Sequence, residues 1–218
     1  MFNYDERKNV KMKYLIFLIM SLMTVSAQAE EAKLLKAAPI VGIGVTTSSV
    51  SFDDTTLEDM FGDKNKGFYI SGGVIFNDVV SFEAFYQKSD EKSKTSGPWV
   101  DEDGDVLNAR TKLSYEAYGV DAKLLIPTAV EGFKVFGTAG LAEYKFKGKM
   151  TSDYELYEPI TETETERLLG YRLGVGAEYQ LTKHISANLA GRVISFEDKT
   201  DATFDSMTEL SVGIKYMF

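Results

Sequence analysis

The sequence predicts an all-β protein, an eight-stranded antiparallel up-and-down transmembrane β-barrel preceded by a cleavable signal peptide. Three observations predict it. The last ten residues alternate strictly, with Leu210, Val212, Ile214, Tyr216 and Phe218 on one face and Glu209, Ser211, Gly213 and Lys215 on the other. A strand of that kind suits a wall between lipid and a polar lumen. Similar alternation recurs along the chain in runs of about nine to eighteen residues, with no window of sustained helical period. The gaps between these runs are alternately long and short, as in a barrel with long loops outside the cell and tight turns on the periplasmic side.

From the amino terminus, Lys11 and Lys13 precede an apolar run, Tyr14 to Met20, and the stretch closes on Ser26-Ala27-Gln28-Ala29 ahead of Glu30. The run is short for a spanning helix, and its small-x-small ending fits a signal cut after Ala29. Residues 1–29 therefore read as a signal peptide. Met12-Lys13, followed at once by apolar residues, is the favoured start, with Met1 the alternative. Residues 30–38 then form a short periplasmic segment, and 39–218 the barrel.

The expected strands are 39–52, 67–76, 79–87, 109–126, 133–147, 167–180, 185–196 and 206–218, joined by connections of 14, 2, 21, 6, 19, 4 and 9 residues. Asn77-Asp78 suits a two-residue hairpin, and 127–132 and 181–184 supply the other tight ends. An even number of strands puts both termini on the periplasmic side. In the third strand Val80, Phe82, Ala84 and Tyr86 oppose Ser81, Glu83 and Gln87, although Phe85 breaks the polar face. The second and fifth strands are ambiguous. The sixth is the clearest: Leu169, Tyr171, Leu173, Val175, Ala177 and Tyr179 alternate with Gly170, Arg172, Gly174, Gly176, Glu178 and Gln180. The seventh sets Ile185, Ala187, Leu189 and Val193 against Ser186, Asn188, Ala190 and Arg192.

A soluble β-sandwich also alternates, with its apolar face inward. Glycine weakens a strand, so Gly170, Gly174, Gly176 and Gly213 need a reason, and a crowded lumen is one. Tyr171 and Tyr179 lie about 20 Å apart along the membrane normal for a tilted strand, close to an outer-membrane apolar band of about 25 Å with aromatic girdles. The apolar faces are therefore expected to look outward.

With these features the chain resembles the OmpA/OmpX-type outer-membrane barrels, also described as porin-family or outer membrane β-barrel domain proteins. The resemblance rests on Leu210-x-Val212-x-Ile214-x-Tyr216-x-Phe218 and on Gly170 to Tyr179. It implies the fold, the outer membrane as location, and a carboxy-terminal signal read by the barrel-assembly machinery. It implies no particular ligand: such barrels include adhesins, colonisation factors and barrels of unknown role.

Charges expected to point inward are Glu83, Asp121, Lys123, Arg172, Glu178, Arg192, Glu209 and Lys215. In an eight-stranded barrel the interior is just filled by side chains, so these groups should pair as a structural plug. A gated ion path is the sharper reading. Residues 1–29 carry four basic and two acidic side chains, so the remaining 189 residues carry −11 against −9 for the whole chain. That balance excludes nucleic acid as a partner. There is no cysteine, hence no disulfide.

No enzyme is expected. The one histidine, His184, falls in a periplasmic turn, away from outer-leaflet substrates. No cofactor or metal is expected either: the acidic run Asp101 to Asp105 lacks the spacing of a calcium loop and reads as solvated charge. The alternation of Thr161 to Glu166 extends the sixth strand beyond the membrane, with carboxylates on one side. Trp99, in the second long loop, is the candidate contact residue, bracing loops or meeting a partner. The expected partners are outer-membrane lipid and lipopolysaccharide, the assembly machinery, and a host or envelope protein met through the loops. The function read from the sequence is a structural or interaction barrel; the alternatives are a narrow porin-like channel and, distantly, a lipid-modifying enzyme.

Overall fold

The computed structural model describes residues 36–52, 64–100, 106–154, 160–197 and 204–218. The signal segment 1–29, residues 30–35 and the acidic run 101–105 lie outside the described residues, and β1 begins at Ala37, within the expected periplasmic segment. The strands are β1 (Ala37–Phe52), β2 (Lys64–Phe76), β3 (Val80–Ser89), β4 (Lys92–Val100), β5 (Val106–Pro127), β6 (Phe133–Tyr154), β7 (Ile160–Gln180), β8 (Ile185–Phe196) and β9 (Phe204–Met217). Neighbours pair antiparallel in the order β3-β2-β1-β9-β8-β7-β6-β5-β4, and β3 also pairs with β5. That last pairing closes a ring of eight strands, from which β4 is left out.

Where eight alternating runs are expected, nine strands appear among the described residues, and the register explains the extra one. Lys88 of β3 faces Glu116, and Lys92 of β4 faces Leu113. Between these pairs three residues on one side lie against two on the other, which is a β-bulge. β4 therefore continues the line of β3 along β5. This corrects the placement of Trp99: it belongs to β4, opposite Leu107, rather than to a loop, and its side chain lies outside the described residues.

The tight turns follow their residues. Asn77 and Asp78 both have positive φ, 50° and 58°, the pair of left-handed residues that a type I′ hairpin requires, and Val79 N–H donates to the Phe76 carbonyl at 3.0 Å. Asn and Asp tolerate that region better than other side chains.

The polarity of the wall is outward-apolar. Leu173, Val175, Val212 and Ile214 are 65%, 71%, 50% and 53% exposed, while Glu209, Ser211 and Lys215 between the terminal apolar residues are buried. A soluble protein would lose the hydrophobic contribution of such a belt; acyl chains cover it in a membrane.

Beyond the belt the faces exchange roles. On β5 the outward residues Tyr118, Val120, Leu124 and Ile126 are exposed, whereas Leu113, Tyr115 and Ala117 point inward and are buried. On β6 Leu141 is outward, but Tyr144 and Phe146 are inward; on β7 Leu169 is outward and Leu168 inward. Apolar side chains face lipid where lipid is present and face the axis where water surrounds the strand. This switch accounts for the ambiguous fifth expected strand. It also accounts for Phe85, which joins the buried cluster above the belt.

Candidate functional site: the layered lumen and the projecting sheet

The lumen is packed in three layers. At the turn end, Ile40, Ile75, Leu125, Phe136 and Ala190 form an apolar floor. At the loop end, Val50, Phe85, Leu113, Tyr115, Tyr144, Phe146, Leu168, Phe196 and Met207 are among the residues of an apolar roof. Its rings interlock: Tyr144 and Phe146 each meet Phe196 edge-on, at centroid distances of 5.3 and 5.4 Å. Such pairs contribute beyond area burial, about 0.5–1.5 kcal/mol each.

Between roof and floor lies the ionic layer, which brings together all eight charges expected to point inward. Glu83 accepts ion pairs from Lys123 at 2.8 Å and Lys215 at 3.1 Å, and Lys215 reaches Glu178 at 2.9 Å. Arg172 lies 3.3 Å from Asp121 and 3.5 Å from Glu209; Arg192 lies 2.7 Å from Glu209 and 3.8 Å from Asp121. Polar neighbours satisfy further lone pairs. Gln87 Nε2 donates to Glu209 Oε2 and to Tyr115 Oη, both at 2.7 Å, and Arg172 Nη1 donates to Tyr144 Oη at 2.9 Å. The layer is bolted to the apolar layers as well: the Arg172 guanidinium lies 4.0 Å from the Phe85 ring centroid, and Lys123 Nζ 5.5 Å from that of Phe136. The cavity left within it, lined by Asp121, Arg172 and Glu209 among others, measures about 20 Å³, room for about one water molecule. The roof is hidden in the sequence because its residues occupy the parity that is polar lower down each strand; the switch at Ala117–Tyr118 is the signal that could have found it.

Lumen glycines make room for this packing. A Cβ at Gly213 or Gly44 would run into the Tyr69 ring, whose hydroxyl donates to Asn188 Oδ1 at 3.2 Å. Outward Gly137 differs, since a Cβ there meets nothing within 4 Å. Gly213→Ala is therefore expected to lower unfolding free energy by about 1–3 kcal/mol through overpacking, and Gly137→Ala to leave it unchanged or raise it by up to about 1 kcal/mol. Urea unfolding of both variants in one lipid checks the pair.

Above the belt, β5, β6 and β7 continue together, with pairing that reaches Leu107–Tyr154 on one side of β6 and Ser152–Ile160 on the other. β7 pairs with β8 only from Gly170 onward, and Glu197 N–H donates to the Leu169 carbonyl at 2.8 Å, so among the described residues Ile160–Leu168 is bonded on one edge alone. Phe146, Gly148 and Met150 oppose Glu166, Glu164 and Glu162, which puts these carboxylates on the axial face of the sheet and Thr161, Thr163 and Thr165 on the outer face. Carboxylates on such an edge guard it against pairing with other chains.

His184 is fixed by local contacts. Its Nδ1 lies 2.9 Å from the Met217 carbonyl oxygen, and its ring stacks on Tyr216 at 5.8 Å. Among the described residues no cluster of His, Asp and Glu has the geometry of a metal site.

The comparisons agree with this architecture. Residues 15–218 match the family described as "Outer membrane protein beta-barrel domain". Neisserial surface protein A is 17% identical with a TM-score of 0.54, covering 84% of this chain and 99% of that one. Ail, the attachment invasion locus protein of Yersinia pestis, is 14% identical with a TM-score of 0.53 over the same shares. A major outer membrane protein from Thermus thermophilus is 12% identical with a TM-score of 0.53, covering 82% and 99%. No curated protein sequence matches the chain. At these identities the structures speak for the fold, and the match over nearly the whole chain speaks for the family: the chain belongs to the outer membrane protein β-barrel domain family, and its wall lies in the cell outer membrane.

Proposed function

We propose that the protein is a structural and interaction barrel: a sealed wall that carries a stiff sheet beyond the outer leaflet, where it contacts host or envelope partners. The observation that carries this reading is the three-layered lumen, in which an ionic plug lies between two apolar layers, with a cavity of about 20 Å³ inside the plug and one of about 60 Å³ at the turn end among the described residues. The length of β5, β6 and β7 supports the second half of it. Loops on a rigid scaffold are free to carry recognition, and here part of the loop mass has been replaced by sheet. The reading has no catalytic step, because the histidine is tied to a backbone carbonyl at the turn end. Leu210, Val212, Ile214, Tyr216 and Phe218, all exposed on one face of the last strand, form the signal for the assembly machinery.

The test separates this reading from a channel. Purified refolded protein in planar bilayers is expected to give no steady nanosiemens conductance, and Glu209→Gln alone should not create one, because roof and floor remain in place. Steady openings in the unmodified protein would favour the narrow channel. Shortening β5–β7 above Tyr118, Leu141 and Tyr171 should abolish surface binding by cells while heat-modifiable migration in detergent gels persists.

A further inference from the structure

The outer face of the projecting sheet carries charge of the opposite sign to the chain as a whole. Lys145, Lys147 and Lys149 occupy successive outward positions of β6, alternating with the inward Tyr144 and Phe146. Three carboxylates lie near them, each holding another cation: Glu143 with Arg167 at 3.4 Å, Glu116, directly across from Lys145, with Lys88 at 3.2 Å, and Glu91, which also feels Lys147 and Lys149, with Lys112. The hydrogen bond from Lys112 holds the Glu91 carboxyl below its ordinary pKa. The three lysines make no ion pair among the described residues. With Lys88, Lys112 and Arg167 on the same face, cations outnumber these carboxylates, so the face keeps an excess of positive charge that an anion would offset.

Directly below this row, on the same strands, the lipid-facing wall is hollowed. A groove over Ala122, Ala139, Leu141, Tyr171 and Leu173, which runs on to Phe82 of β3, measures about 750 Å³, and an adjoining hollow over Ala122, Gly137, Ala139 and Leu173 about 970 Å³. Its lining is almost wholly apolar. Lys145 stands six residues above Ala139, about 20 Å along the strand, with Leu141 and Glu143 between them.

We propose that the outer face of β5–β7 binds one molecule of phosphorylated glycolipid from the outer leaflet, the lipid A class, with its phosphates on Lys145, Lys147 and Lys149 and acyl chains in the groove below. Charge complementarity and the continuity of row and groove on one face single out this occupant over a second copy of the chain, which would bring the same lysines against themselves across a symmetric contact. The proposal deepens the reading of the sheet as a contact surface, and rests on its lying on the outer side.

The test is binding of bisphosphorylated lipid A to the refolded protein in phosphatidylcholine nanodiscs, followed by a fluorescent lipid A probe. Each lysine-to-glutamine change is expected to weaken binding about tenfold, the magnitude of one charge-assisted hydrogen bond, and Lys147→Arg to retain it. Ala139→Leu, which fills the groove, should weaken binding while leaving heat-modifiable migration intact. Dephosphorylated lipid A and free inorganic phosphate should compete poorly. Equal binding of phosphatidylglycerol, or unchanged affinity in the triple Lys→Gln variant, would overturn the proposal, as would loss of a cross-linked dimer in Ala139→Leu with lipid binding untouched. Nanodisc binding does not depend on orientation, so protease protection of the sheet on intact cells would count against the contact-surface reading alone.

Discussion

Arg172→Met is expected to remove about 3–5 kcal/mol of stability, the largest effect of any single change considered. The guanidinium is buried and serves Asp121, Glu209, the Tyr144 hydroxyl and the Phe85 ring at once. Methionine fills most of the volume, so the loss comes from leaving two carboxylates with one fewer cation in a low-dielectric layer, and breaking a buried pair in that way costs about the stated amount. Neutralising the partners tests the cause. Adding Asp121→Asn to Arg172→Met should recover a large part of the loss, because an uncompensated buried charge disappears. Urea unfolding in a single lipid, with the single and double variants run together, measures it; additive losses would show that Arg172 acts through packing alone.

Val175→Arg is the second large effect, about 2–4 kcal/mol, whereas Thr163→Arg on the same strand is expected to cost about 0–1 kcal/mol. Both positions are outward on β7. Val175 lies four residues from Tyr171 and four from Tyr179, midway across the apolar belt, so an arginine there puts a cation among acyl chains. Thr163 lies beyond Tyr171 on the far side of the parity switch, where the outward face meets water or lipid headgroups. Equal losses at the two sites in vesicle unfolding would contradict the location of the membrane boundary derived from the exchange of faces at Leu168 and Leu169.

The wall was legible in the sequence because lipid imposes one rule on every spanning strand. Leu169 to Tyr179 and Leu210 to Phe218 obey it without exception, so period, face and the eight strands of the ring could be read from it. The eight inward charges followed from the same parity. What the pattern concealed lies where the solvent changes. Tyr115, Tyr144 and Phe146 sit on the face that is polar lower down, and under a rule of one parity per strand they pass for noise. β4 was hidden for another reason: the run from Lys88 to Ser96 is rich in Lys and Ser and has no apolar face, and its strand conformation comes from continuing the edge of β5 past the bulge. Trp99 accordingly reads as a loop residue in the sequence. Charge pairing partners were not legible, since they depend on register across strands far apart in sequence.

That remoteness bears on how the barrel is made. Glu83 and Asp121 belong to the first half of the wall, while Arg172, Arg192, Glu209 and Lys215 arrive with the second. Without β9 the interior still sets three acids against three bases, with Glu83 on Lys123 and Arg192 near Asp121, but it lacks the short Arg192–Glu209 and Lys215–Glu178 contacts, so completion of the ionic layer and sealing of the β1–β9 seam coincide. β9 thus delivers both the edge that completes the cylinder and the carboxylate and ammonium that knit the interior ion pairs into one network.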